Sequence, residues 1–237
     1  MPQPLVIVTG ASSGIGKAVA IAFGREDYPL LLVSRRITPL PELPSDRVIY
    51  AQVDVTDYAA LDGAVRNAES RYGTAGCLVN NAGVADGRAF TEVDPESYSR
   101  EIDVNLKGVL NGTKAVLKGM LAQRAGTIIN ISSISDRKVG PAAVAYAASK
   151  HAVRALTESL RQSVAKTGIR FINIAPGYIR TNIHAHMGIS FAQYQERLGH
   201  PDFMTAEQLA EIILFCWKQP PTICIRDLVV APTNSTV

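Results

Sequence analysis

Apolar positions along the chain fall into two alternating kinds of segment. Short runs rich in Val, Ile and Leu recur at 5–8, 30–33, 48–53, 78–80, 127–132, 170–174 and 224–230, and runs of that length predict strands. They are continuously apolar rather than alternating, which suits strands covered on both faces, as in a parallel sheet between layers of helices. Between them, 15–25, 58–71, 97–124, 146–166 and 206–218 carry the apolar spacing of helices. Pro41 and Pro44 mark a loop. The rhythm predicts one doubly wound α/β domain over residues 1–237, with a seven-stranded parallel sheet. It breaks only at 178–204, a connection long enough to act as a lid over a site.

Length and composition narrow the class. A chain of 237 residues buries roughly 70% of the surface its unfolded form exposes, so its core needs no staples. Apolar residues make up 47% and charged residues 19%, and no stretch reaches the roughly 20 apolar residues of a membrane span. Met1-Pro2-Gln3-Pro4 leads straight into the first apolar run without a basic segment, and no export signal is expected. Cys77, Cys216 and Cys224 have no metal-ligand or redox spacing, which fits reduced thiols in a cytoplasmic protein. A formal charge of +3 gives no reason to expect nucleic acid or a membrane as partner.

The first strand ends in Thr9-Gly10-Ala11-Ser12-Ser13-Gly14-Ile15-Gly16, which opens a helix. Gly10, Gly14 and Gly16 let the backbone turn and approach a pyrophosphate, while N–H groups around Ser12, Ser13 and Ile15 face it from the helix N-terminus. A strand, this loop and a helix are the Rossmann-type arrangement for a dinucleotide. At the end of the second strand an acid would bind the 2′-hydroxyl of NAD. Ser34 stands there instead, 18 residues after Gly16, and Arg35 and Arg36 follow. Guanidinium groups pair with phosphate, so NADP(H) is expected over NAD(H).

Tyr146 and Lys150 are four apart in a helical segment, which stacks them on one face. A nearby ammonium is expected to draw the phenol's pKa down from about 10 toward neutrality, making Tyr146 a proton donor or acceptor. A carbonyl under reduction gathers negative charge on oxygen, and a second donor beside the tyrosine would stabilise it. Ser133 is the candidate.

Taken together, the Gly-x-x-x-Gly-x-Gly spacing, Asp54, Asn80-Asn81-Ala82-Gly83, Asn105, Ser133, Tyr146 and Lys150 resemble the short-chain dehydrogenase/reductase family from about Leu5 to about Thr181. The resemblance implies a tetrad of Asn105, Ser133, Tyr146 and Lys150, with Ser133 favoured over Ser132 because it precedes Tyr146 by 13 residues. Asn105 would hold Lys150 through a water, and Lys150 would also grip the nicotinamide ribose. The resemblance assigns Asp54 and Val55 to adenine, Asn81, Ala82 and Gly83 to the cofactor wall, and Pro176, Gly177, Ile179 and Thr181 to the nicotinamide side. It implies hydride transfer between a small-molecule carbonyl and its alcohol, in a homodimer or homotetramer joined through the helices at 105–124 and 146–166. One departure stands out: Gly76 occupies a place where the family often has Asp.

A rival reading is a non-catalytic NADP-binding sensor. Its mark is loss of the tyrosine or lysine, and both are present. His184, His186 and His200 share one connection without an acid or thiol at ligand spacing, so no metal is expected. His151, next to Lys150, is expected to point elsewhere. The substrate pocket is expected from 139–144 and 178–204, where Met187, Ile189, Phe191 and Phe203 suggest a modest, partly apolar carbonyl compound.

Overall fold

Strand β1 (Leu5–Thr9) shows why its run is continuously apolar. Val6 and Val8 enter one buried cluster with helix α1 (Gly14–Arg25), while Leu5 and Ile7 enter a second on the opposite face. Strand β2 (Leu30–Ser34) divides in the same way, Leu30 and Leu32 against Leu31 and Val33. Alternation thus selects which core a residue joins. The computed structural model describes residues 3–187 and 189–235.

The main chain continues through β3 (Val48–Gln52), α2 (Tyr58–Tyr72), β4 (Ala75–Asn80), α3 (Pro95–Ile102), α4 (Gly108–Gln123), β5 (Gly126–Ile131), α5 (Val144–Ser163) and β6 (Ile169–Pro176). After it come β7 (Ile179–Arg180), α6 (Phe191–Arg197), β8 (Met204–Thr205), α7 (Ala206–Lys218) and β9 (Asp227–Val230). Among the described residues the main sheet has seven strands, all parallel, in the order β3-β2-β1-β4-β5-β6-β9. Helices α1 and α7 cover one face, and α2 and α4 with the end of α5 cover the other. The order reverses between β1 and β4, which opens a crevice at their carboxyl ends. The expected fold is the one observed. The last run yields a strand only from Asp227, and the Cys224 thiol turns instead to the Phe171 carbonyl at 3.5 Å.

The helix expected over 97–124 is broken. Between α3 and α4 the residues Asp103–Lys107 form one π turn. Asn105 is responsible for holding it: its side chain accepts from the Val84 N–H and donates to the Val84 carbonyl, each at 2.9 Å. Such insertions often accompany functional sites. Gly108 then lets α4 press on the sheet-side loop, since a Cβ there would lie 2.7 Å from Val55 Cγ2.

The 178–204 connection is structured rather than open. Strands β7 and β8 close its base as a two-residue parallel ladder. Ser190 and Gln193 form a reciprocal capping box that starts α6. Phe203 packs on Tyr178, Phe191 and Tyr194 with ring centroids 5.8, 5.2 and 6.2 Å away. Phe191 and Phe203 therefore hold the segment together, and neither lines the cavity described below. Met187 and His186 have side chains outside the described residues.

Gly76 also has a local reason. A Cβ there would stand 2.6 Å from Pro4 Cβ, so the acid common in the family would displace the segment entering β1. Gly63, in contrast, is exposed in the middle of α2 with open space around it. Gly63→Ala should raise the unfolding free energy by about 0.5–1 kcal/mol. Gly16→Ala, whose Cβ would meet the Gly10 carbonyl oxygen at 2.2 Å, should lower it by about 1–3 kcal/mol. Urea titrations of the two variants check both signs.

Candidate active site

One cavity of about 1040 Å³ runs along the carboxyl ends of the central strands. Its floor is the glycine loop. Gly10 has φ +67°, and a Cβ would stand 2.8 Å from Ala82 Cα, so only glycine lets the loops after β1 and β4 touch. The contact is hydrogen-bonded as well. Thr9 Oγ1 accepts from the N–H groups of Asn81 and Ala82 at 3.0 and 3.1 Å, and Asn81 Nδ2 donates to the carbonyls of Thr9 and Gly10. Ser13 precedes α1 without capping it through its side chain, which leaves the first-turn N–H groups facing the cavity.

At one end of the cavity Ser34 Oγ meets Ser12 Oγ at 3.0 Å, and Arg35 and Arg36 stand exposed on the wall. Asp54 accepts from the N–H and the hydroxyl of Thr56 at 2.9 and 2.8 Å. Burial opposes its charge, but those two bonds and the nearby Arg35 hold the carboxyl below its ordinary range. These groups fit a phosphorylated ribose and an adenine.

The middle of the cavity brings together side chains from three elements. Ser133, leaving β5, is buried and accepts from the Ser135 N–H at 3.1 Å. Tyr146 and Lys150 come from the first turns of α5, and the Tyr146 phenol is hydrogen-bonded with Ser133. Lys150 Nζ lies 5.6 Å from the centre of the Tyr146 ring and donates to the Ile131 carbonyl at 2.9 Å. The expectation of a lowered phenol pKa is not met. Burial pushes Tyr146 up to about 12 against the opposing Ser133 bond, and burial pushes Lys150 down to about 8. The ammonium points to a carbonyl, and desolvation outweighs its attraction for a phenolate.

Asn105 and Gly16 lie behind this wall, whereas every other expected cofactor or catalytic residue lines it. Besides Val84, Asn105 Nδ2 reaches Ser149 Oγ at 3.1 Å, and Ser149 donates to the Tyr146 carbonyl at 2.7 Å. Asn105 therefore reaches the turn that carries Tyr146. Gly16 serves the packing of α1 on β1. Pro176, Gly177, Ile179 and Thr181 form the far wall, with Thr181 against Gly14.

Sequence reasoning missed Arg88, Glu92, Tyr194 and Arg197, which also line the cavity. The last two were findable, because Ser190 and Gln193 announce a helix that carries both. Asp136 was missed too. It is fully buried, bonded to Arg137 Nε at 2.6 Å and to Asn173 Nδ2 at 2.9 Å, and its charge acts on both Tyr146 and Lys150. His184 Nδ1 pairs with the Thr181 carbonyl and its ring stacks on Tyr194; His151 Nδ1 pairs with the Ala147 carbonyl. No metal-binding group of His, Cys, Asp and Glu occurs among the described residues. No helix among them is long and apolar enough to cross a membrane.

The family model of short chain dehydrogenases matches residues 4–189. The chain belongs to that family. It is 34% identical to an uncharacterized oxidoreductase of Listeria monocytogenes, over 97% of this chain and 96% of that one. Two solved structures share its fold and carry a nicotinamide dinucleotide. One is the closed form of a serine dehydrogenase complexed with NADP+, with TM-score 0.89, 26% identity and coverage of 98% and 96%. The other is ElxO with NADP bound, with TM-score 0.84, 28% identity and coverage of 98% of both chains. This short-chain dehydrogenase is thus an oxidoreductase with a doubly wound fold.

Burial of Lys150 has a measurable consequence. Its pKa falls from 10.5 to about 8 on folding, so between those values the unfolded chain binds the extra proton and stability rises with pH. Below about pH 8 the amine is charged in both states and its burial opposes folding in full. The unfolding free energy of the wild type, minus that of Lys150→Met, should therefore increase from about pH 8 toward pH 10. Denaturant titrations of both proteins across that window measure the difference.

Proposed function

We propose that this short-chain dehydrogenase uses NADP(H), in preference to NAD(H), to interconvert a small-molecule carbonyl and its alcohol, with Tyr146 as the proton-transferring group. The reading rests on the convergence of Ser133, Tyr146 and Lys150 with the glycine loop in one cavity. A bound nicotinamide dinucleotide supplies or accepts the hydride. Gly10, Ser12, Ser13, Gly14 and Ile15 receive its pyrophosphate at the start of α1, with Gly16 keeping the helix close. Ser34, Arg35 and Arg36 receive the 2′-phosphate. Asp54 and Val55 meet the adenine, and Asn81, Ala82 and Gly83 form the wall beside the ribose. Pro176, Gly177, Ile179 and Thr181 hold the nicotinamide end.

Ser133 donates to the carbonyl oxygen and fixes it beside Tyr146. Tyr146 gives its proton to that oxygen in reduction and recovers it in oxidation. A phenol held above its ordinary range keeps its proton at neutral pH, which suits the reductive direction. Lys150 would hold the ribose, and its charge, 5.6 Å from the centre of the Tyr146 ring, favours the phenolate left by proton transfer. Asn105 positions the Tyr146 turn through Ser149. The exposed Leu110 and Leu121 on α4 support a homodimer or homotetramer.

Tyr146→Phe should lower turnover by at least about 10²-fold while leaving NADPH affinity within a factor of about two. Steady-state rates and fluorescence titration of NADPH measure the two quantities, and sizeable residual turnover would rule out the assigned role. Replacing Arg35 and Arg36 together by Ala should weaken NADPH at least tenfold, about 1.4 kcal/mol, and NADH little. Parallel titrations would also reveal equal wild-type constants for the two dinucleotides, which the assignment does not allow.

A further inference from the structure

The end of the cavity beyond Tyr146 has a charge pattern that catalysis and dinucleotide binding leave unexplained. Six cationic residues line the cavity against two acids, Asp54 and Glu92, although the whole chain carries only +3. Arg35 and Arg36 face the adenosine end and Lys150 serves Tyr146. Arg88, Lys138 and Arg197 remain among the lining residues.

They are not equivalent. Arg88 is spent: it pairs with Asp86 and Asp94 and donates to the Glu92 carbonyl. Lys138 has interactions of its own. The Arg197 side chain, exposed in the last turn of α6, forms no ion pair or hydrogen bond with any described residue, yet it lines the cavity. Three residues before it, on the same face of the helix, Tyr194 also lines the cavity. Tyr194 is held in place by His184 stacked on its ring at 6.1 Å and by Phe203 at 6.2 Å. It lies near enough to Tyr146 for the two phenols to act on each other electrostatically.

From this arrangement we infer that Arg197 and Tyr194 bind a carboxylate, and that the substrates are oxo acids and the corresponding hydroxy acids. The inference rests on the hydride-transfer reading above and specifies its substrate class. An unpaired guanidinium beside a phenolic O–H offers charge-assisted donors to both oxygens of a carboxylate. With the carboxylate so anchored, the ketone of the same molecule is presented to Ser133 and Tyr146. The carbonyl carbon would take the hydride that a bound reduced dinucleotide supplies, itself becoming oxidised, and the oxygen would take the Tyr146 proton, so that the C=O π bond opens to an alcohol. Glu92 lines the same cavity and disfavours additional negative charge, which favours a single carboxylate over a phosphate ester.

The test compares 3-oxobutanoate with its methyl ester, which removes the charge and keeps the ketone. In the wild type, kcat/KM for the acid should exceed that for the ester at least tenfold. Arg197→Gln should bring that ratio close to one, chiefly through KM for the acid, and Arg197→Lys should restore part of it. Equal kcat/KM values for acid and ester in the wild type would overturn the inference, as would a preference that survives Arg197→Gln. Binding of each compound to the NADPH complex, followed by nicotinamide fluorescence, separates this inference from the reading beneath it. If neither compound is turned over, hydride transfer to ketones of this kind fails. In that case tighter binding of the acid that is lost in Arg197→Gln still upholds the carboxylate site, and equal binding of acid and ester removes it.

Discussion

Thr9 and Asn81 bind together the loops that leave β1 and β4, and Gly10 removes the side chain that would keep them apart. This contact lies where the strand order reverses, so it fixes the floor of the crevice and the direction in which α1 presents its N-terminus. The rest of the site is built outward from it. Ser133 follows directly after β5, which is hydrogen-bonded in register to β4, and α5 brings Tyr146 and Lys150 over the same strand end. A shift of about an ångström between β1 and β4 would therefore displace the glycine loop and the Ser133–Tyr146 pair relative to each other.

Beneath the site an unusual row of polar side chains crosses the sheet. Asn80, Asn130 and Asn173 are register partners, and the row ends at Asp227. Asn80 Nδ2 donates to Asn130, Asn130 Nδ2 donates to Thr157 on α5, and Asn173 ties Asp227 to Asp136. Buried amides with directional bonds define positions more sharply than interchangeable aliphatic side chains do. The row couples the register of three strands to α5 and to the turn after Ser133, the two elements whose relative placement sets the distance between Ser133 and Tyr146.

The fold was readable because parallel strands covered on both faces leave an unmistakable pattern of continuous apolar runs. The glycine loop after β1 was readable because backbone approach demands glycine at fixed places. What escaped the sequence depended on contacts between distant segments. The π turn at Asn105 arises from bonds to Val84, 21 residues away, and nothing in local helix spacing encodes it. The phenol's direction of shift was misjudged because the spacing of Tyr146 and Lys150 gives proximity but not desolvation. The aromatic residues of the 178–204 segment were assigned to the pocket on character alone, while Phe191 and Phe203 pack against their own neighbours. Tyr194 and Arg197 face the cavity instead.

That segment is closed at its base by the two-residue ladder between β7 and β8 and stapled within by its own rings. Among the described residues it shares few hydrogen bonds with the strands of the main sheet. Between Arg180 and Met204 the chain is a nearly self-contained cassette. A different stretch with matching ends could be substituted there to reshape that side of the cavity, while the residues carried by the sheet and α5 would stay where they are.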